Sequence, residues 1–253
     1  LVTDAYLFRF GYPSFMAAMY ADDGRELLAM YARVKELGVT TSLDPGMPDP
    51  AGPAGKVNWR GVLKRLLPSV DVFMPSADEL LYMIDPSRFG KGDELSGGEL
   101  VELGEQMLAM GAAVAAVKLG KRGMYIRSAG KARLETMGAG QPADLDAWAD
   151  RELWFPIFRE SCFRGATGAG DASIAAFLTA MLRGLSLSDA GTFAAAVGAC
   201  NVEAPDSLSG IQSWDATMAR IAAGWAKQPL PALDAGWSLD AAGIGHGPAD
   251  RQR

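Results

Sequence analysis

The sequence predicts an α/β protein built on a mostly parallel sheet with helices against both faces. Two observations point there. Short runs such as VTTSLD and AVAAVKLG alternate with stretches whose apolar residues recur at helical spacing, and clusters of Gly, Pro and Asp separate them. The 253 residues, 49% of them hydrophobic, also suffice for a substantial core, so one domain over 1–253 is expected. Strands alternating with helices form right-handed crossover units, and in such sheets ligands sit at the carboxyl ends of the strands.

The elements follow in order. Residues 2–10 read as a strand, and 23–37 as a helix whose Leu27, Tyr31, Val34 and Leu37 share a face and which stops at Gly38. VTTSLD is the next strand, and the loop PGMPDPAGPAG leads to a helix over 59–67. DVFMP is a short strand, 77–84 and 96–110 are helices, and AVAAVKLG is a buried strand. After Gly120 the pattern changes: GMYIRS, ARLET and LWFPIFR read as short strands of an antiparallel edge. Helices resume at 172–182, at 188–204 with Ser188 as N-cap, and at 214–223; from Pro229 onward an irregular tail is expected.

Composition excludes several classes. The net charge is −6 and no dense Lys/Arg block occurs, so a nucleic-acid partner is not expected. The longest apolar run, 107–117, is too short to span a bilayer, and no secretory-type segment opens the chain, so a soluble cytoplasmic protein without a membrane partner is expected. Cys162 and Cys200 have neither metal-site nor disulfide spacing. No methionine precedes Leu1, and LVTDAYLFRF already reads as a buried strand, so the chain is expected to begin inside a domain.

The most informative stretch is RGATGAGDASIAAFL, residues 164–178. Gly168, Ala169 and Gly170 let backbone N–H groups converge, and the helix that follows adds its unpaired amides and the positive end of its dipole. That makes an anion hole, and it places Asp171 on the first turn as an ionised carboxylate able to accept a hydroxyl proton. A tight turn followed by a capped helix is an equal reading of the same residues. A dinucleotide fingerprint needs a third glycine where Ser173 stands, AGKV at 54–57 lacks the parts of a phosphate-binding P-loop, and the one histidine, His246, is expected exposed and idle. Ser76 and Glu79 form a capping-box pattern. Lys118 and Lys121 read equally as solvated charges, and Asp44 either serves a site at a strand end or begins the DPG turn.

GATGAGDASIAAFL resembles the second signature of the ribokinase-type (PfkB) carbohydrate kinases, in which D-T-x-G-A-G-D precedes an apolar helix. PSADEL, 75–80, is similar to that family's P-N-x-x-E segment, and VKLGKRG, 117–123, to its T-L-G-x-x-G strand and turn. The three stand in the family's order, and the resemblance runs from about residue 1 to about 214. It implies a Rossmann-like ribokinase fold and ATP-dependent phosphorylation of a sugar or polyol hydroxyl. Asp171 would be the general base, Gly168, Ala169 and Gly170 the anion hole, and Lys118, Gly120 and Gly123 part of the nucleotide site. Glu79 would organise Mg²⁺, through water, and the helix over 188–204 would flank adenine. It also implies that an N-terminal part is missing, with a sugar-recognising Gly-Gly segment and a β-sheet lid often used for homodimers.

The departures are Gly165 and Ala166 for Asp-Thr, Ser76 for Asn, and Lys118 for Thr. In many relatives the leading Asp helps bind a monovalent cation, so potassium activation stays open here. Gly165, Ala166 and Ser76 motivate a second reading, a non-catalytic nucleotide or sugar sensor of the same fold. The strand–helix alternation alone motivates a third, an NAD-binding oxidoreductase.

Overall fold

The computed structural model describes residues 2–251. Four strands, β1 (Leu7–Gly11), β2 (Thr40–Asp44), β3 (Val72–Phe73) and β4 (Val114–Lys118), run parallel in that spatial order. Between them lie α1 (Ala17–Tyr20), α2 (Arg25–Glu36), α3 (Trp59–Leu66), α4 (Ala77–Ile84) and α5 (Gly97–Ala109). β5 (Met124–Ser128) then turns back antiparallel on β4, with Lys118 opposite Met124. The one-turn helices α6 (Lys131–Leu134) and α7 (Leu145–Trp148) precede β6 (Glu152–Phe155), which is antiparallel to β5. The long helices α8 (Ala169–Leu182) and α9 (Leu187–Asn201) and the shorter α10 (Trp214–Ala222) complete the helical part.

The alternation of side chains along the strands divides the core in two. Leu43, Phe73, Ala115 and Val117 pack on one face against α2, α3, α4 and α5. Val72, Val114, Ala116 and Ile126 pack on the other against α8 and α9. β2 is buried along its whole length, as a strand covered on both faces must be. α8 and α9 are rich in alanine and bury most of their circumference, which allows their close mutual packing.

Several expectations need correction. The first strand begins at Leu7, after a turn that takes in Thr3 and Asp4. ARLET does not form a strand: Lys131–Leu134 is a helical turn that brings Arg133 Nη1 to 3.0 Å from the buried Asp71 Oδ1. The cap of α9 is Ser186, whose Oγ accepts from Asp189 N at 3.1 Å; Ser188 falls inside the helix. The tail is not wholly irregular, because β7 (Ser238–Leu239) and β8 (Gly245–His246) extend the sheet antiparallel beyond β6. His246 is accordingly not exposed: its side chain is 13% accessible and its Nδ1 lies 2.6 Å from Asp250 Oδ2. It stands towards the opposite edge of the sheet from β1.

Candidate active site

The residues singled out in the sequence gather at the carboxyl ends of β1, β2 and β4. Gly168 adopts the left-handed conformation, φ 80, as the N-cap of α8, and supplies no side-chain cap. Ala169, Gly170 and Asp171 then fill the first helical turn, three residues before the predicted start. The Ala169 N–H donates to Ala166 O at 3.2 Å, so of the three expected anion-hole amides this one has a partner inside the turn. Gly168 is required: a Cβ there would lie 2.4 Å from Ser207 Cβ.

The predicted nucleotide residues lie together. Lys118 ends β4 with its N–H on Pro75 O at 2.9 Å, which ties the strand to the start of α4. Gly120 and Gly123 hold the turn to β5 at φ 56 and φ 88, and a Cβ on Gly123 would lie 1.9 Å from Phe155 O. A cleft of about 670 Å³ opens beside them. Lys118, Gly120 and Gly123 line one wall, Ala169 and Gly170 its end, and Ala195, Gly198 and Ala199 of α9 the opposite side. α9 thus contributes to the lining of the cleft.

Asp171 is not part of that lining. It points to the end of β1, where Arg9 Nη2 lies 2.9 Å from its Oδ1 and the Tyr12 hydroxyl donates to its Oδ2 at 2.5 Å. Burial, then the bond to Asp171, pushes the Tyr12 phenol well above its ordinary value, so Tyr12 remains a donor at neutral pH. Tyr12 itself is left-handed, φ 62, with its N–H on Asp44 O at 2.8 Å. Gly46 makes room for it, since a Cβ there would come within 2.8 Å of the Tyr12 ring.

Asp44, which the sequence leaves open between site and turn, is 1% exposed at the centre of the group. Its Oδ1 accepts from Lys118 Nζ at 3.0 Å and its Oδ2 lies 3.5 Å from Arg9 Nη2. Burial pushes the Asp44 carboxyl up, Lys118 pulls it down, and the nearby negative charge of Glu79 pushes it up again. Arg9 and Tyr12 escaped the sequence analysis altogether. Only their place at the end of the first strand marks them, and FRFGYP carries no chemical signature.

Glu79 closes a complete capping box: Ser76 N donates to its Oε2 at 2.6 Å, and its own N–H donates to Ser76 Oγ at 3.4 Å. The structural role expected of this pair is therefore realised, beside rather than instead of its closeness to Asp44. Among the described residues no group of three or more His, Cys, Asp or Glu could hold a metal ion.

The cleft lies beside the carboxyl end of β4 in an α/β sheet, at the start of a glycine-capped helix. Residues 15–214 match the model of the pfkB family carbohydrate kinases, and the chain belongs to that family. The fold is similar to a fructokinase with bound ATP from Xylella fastidiosa, with a TM-score of 0.61 at 19% identity over 87% of this chain and 62% of that one. It is also similar to ribokinase of Arabidopsis thaliana complexed with ribose and ATP, with a TM-score of 0.58 at 19% identity over 86% and 56%. Aminoimidazole riboside kinase from Salmonella enterica, complexed with aminoimidazole riboside and an ATP analogue, gives 0.58 at 19% over 84% and 61%. The chain thus spans 56–62% of the length of these structures. A sequence comparison with the curated proteins gives no match. Among the described residues no helix is long and apolar enough to cross a membrane.

Proposed function

We propose that this chain carries the nucleotide cleft and the phosphoryl-transfer centre of an ATP-dependent kinase acting on a sugar or polyol hydroxyl. The observation that carries the reading is the position of the start of α8 between two environments. On one side Ala169 and Gly170 end a cleft walled by Lys118, Gly120 and Gly123; on the other Asp171 faces Arg9 and Tyr12 at the end of β1. An acceptor hydroxyl on the Asp171 side would then meet a terminal phosphate across one helical turn.

In that arrangement the acceptor oxygen forms a bond to the γ-phosphorus as the bond from phosphorus to the β-bridging oxygen breaks, and the hydroxyl proton passes to Asp171. Each Asp171 oxygen already accepts one hydrogen bond, and a carboxylate oxygen has a second lone pair for the incoming proton. The Gly168 and Gly170 amides and the Lys118 ammonium meet the charge on the transferred group; positioning and charge stabilisation of this kind supply most of the rate in phosphoryl transfer. Mg²⁺, when bound between phosphates and water, would neutralise phosphate charge, with Glu79 reaching it through water.

The test is Asp171→Asn. Assayed in the full-length protein against a panel of sugars and nucleosides, the variant is expected to bind ATP as the unsubstituted protein does and to lose about 10²- to 10⁴-fold in turnover, the usual worth of a general base. Undiminished turnover would refute the role. ATP binding by the full-length protein with no ADP released for any acceptor would favour the sensor reading.

A further inference from the structure

One guanidinium serves two carboxylates in this site. Arg9 Nη2 stands 2.9 Å from Asp171 Oδ1 and 3.5 Å from Asp44 Oδ2, the first an ordinary charged contact and the second a stretched one. Asp44 is 1% exposed, and its other oxygen is held by Lys118 at 3.0 Å. A buried carboxylate is expensive to leave without a cation. Lys118 and Arg9 are the two cations that counter the effect of burial on Asp44, and Lys118 is the stronger.

Lys118 also belongs to the cleft. Its Nζ lies 3.8 Å from where a side chain on Gly170 would begin, at the positive end of α8. Any phosphate group that settles at that helix start competes with Asp44 for the same ammonium. We propose that Arg9 is a positioning residue that couples the cleft to Asp171: a phosphate that draws Lys118 from Asp44 turns Arg9 towards Asp44 and frees Asp171 Oδ1.

Three features favour the turn. The stretched Arg9–Asp44 contact has room to shorten to an ordinary one. Arg9 Nε is buried without a hydrogen-bond partner, so no bond at that edge of the guanidinium resists rotation. Tyr12 continues to hold Asp171 Oδ2, so the carboxylate keeps its orientation while its other oxygen becomes available to a hydroxyl. Proton acceptance by Asp171 is thereby tied to the presence of nucleotide, and the coupling is reciprocal: strengthening the Arg9–Asp44 contact favours nucleotide in the cleft.

This inference rests on the cleft being a nucleotide site, and the experiment separates the two. The probe is the magnesium-free β,γ-imido analogue of ATP, added to ¹⁵N-labelled chain, with the Arg9 Nε–H signal assigned by its loss in Arg9→Lys. Perturbation of the Gly120 and Gly123 amides together with a shift of the Arg9 signal is expected. Perturbed glycines with an unmoved Arg9 signal would overturn the coupling and leave the nucleotide reading intact; unperturbed glycines would remove both. In Lys118→Met without nucleotide, the Arg9 signal is expected where the native chain has it only when the analogue is bound. A Lys118→Met signal at the native nucleotide-free position overturns the proposal independently.

Discussion

Replacing Gly168 with alanine tests the geometry on which the start of α8 depends. The new methyl group would sit at φ 80, 2.4 Å from Ser207 Cβ and 2.9 Å from Ser207 Cα. The left-handed backbone costs about 1–2 kcal/mol for a residue with a Cβ. The clash adds about 1–3 kcal/mol, the usual range for overpacking. Ser207 cannot retreat freely, because its carbonyl accepts from the side chain of the fully buried Asn201 at 2.8 Å. The sum is about 2–5 kcal/mol, which for a domain of this size lowers Tm by about 4–20 °C at roughly 2–4 °C per kcal/mol. Gly38→Ala is the control: φ is 72 but nothing lies within 4 Å, so only the backbone cost applies. Thermal unfolding of both variants, with calorimetric titration of the ATP analogue, reads the difference. Gly168→Ala should melt below Gly38→Ala and bind the analogue more weakly, while Gly38→Ala keeps native affinity. Equal melting temperatures would refute the clash, and a destabilised Gly168→Ala with native affinity would remove Gly168 from the anion site.

Two further outcomes are expected. Hydrogen bonds from Arg220, reinforced by those from Ser161, hold the Glu203 carboxyl at about 2 against an ordinary 4.5. A depressed carboxyl contributes stability that is present above the ordinary value and lost as pH falls towards the folded one, so native Tm should drop more steeply than that of Glu203→Gln between pH 4.5 and 2, and parallel curves would refute the assignment. Phe163 lines the cleft yet is 61% exposed. Phe163→Ala should therefore leave Tm nearly unchanged, as surface substitutions do, and weaken the ATP analogue about tenfold if adenine stacks there, stacking being worth about 1–3 kcal/mol per base; native affinity would place the base elsewhere.

What was legible in the sequence followed the range of the interactions responsible. α4 was readable to the residue, because Ser76 and Glu79 are three positions apart and satisfy each other's backbone N–H groups without help from the rest of the chain. β4 was readable because AVAAVKLG is a continuous apolar run, the common pattern of a strand covered on both faces. ARLET misled because a five-residue segment has no periodicity to measure. Its fate is decided by Gly130 before it and by Asp71, which binds Arg133 from 62 residues away. β7 and β8 failed for a similar reason: each is two residues long, β8 exists through pairing with β6, a partner about 90 residues upstream, and β7 through pairing with β8.

The site divides along the same line. Gly168, Gly170 and Asp171 could be read together because one helical turn makes them neighbours, and Gly120 and Gly123 because one tight turn does. Arg9 and Tyr12 could not, because they meet Asp171 across 162 and 159 residues and strand alternation says which face a side chain takes, never which carboxylate will stand beside it. Asp44 lies between the extremes: its place at the end of a fully buried strand was visible, while the two cations that decide its chemistry were not. A carboxylate that ends a strand covered on both faces has no water to turn to, so something in the fold must neutralise it. Its position was therefore already a demand for cations, and Lys118, which closes the buried run AVAAVK two strands away in the sheet, is the residue that answers it.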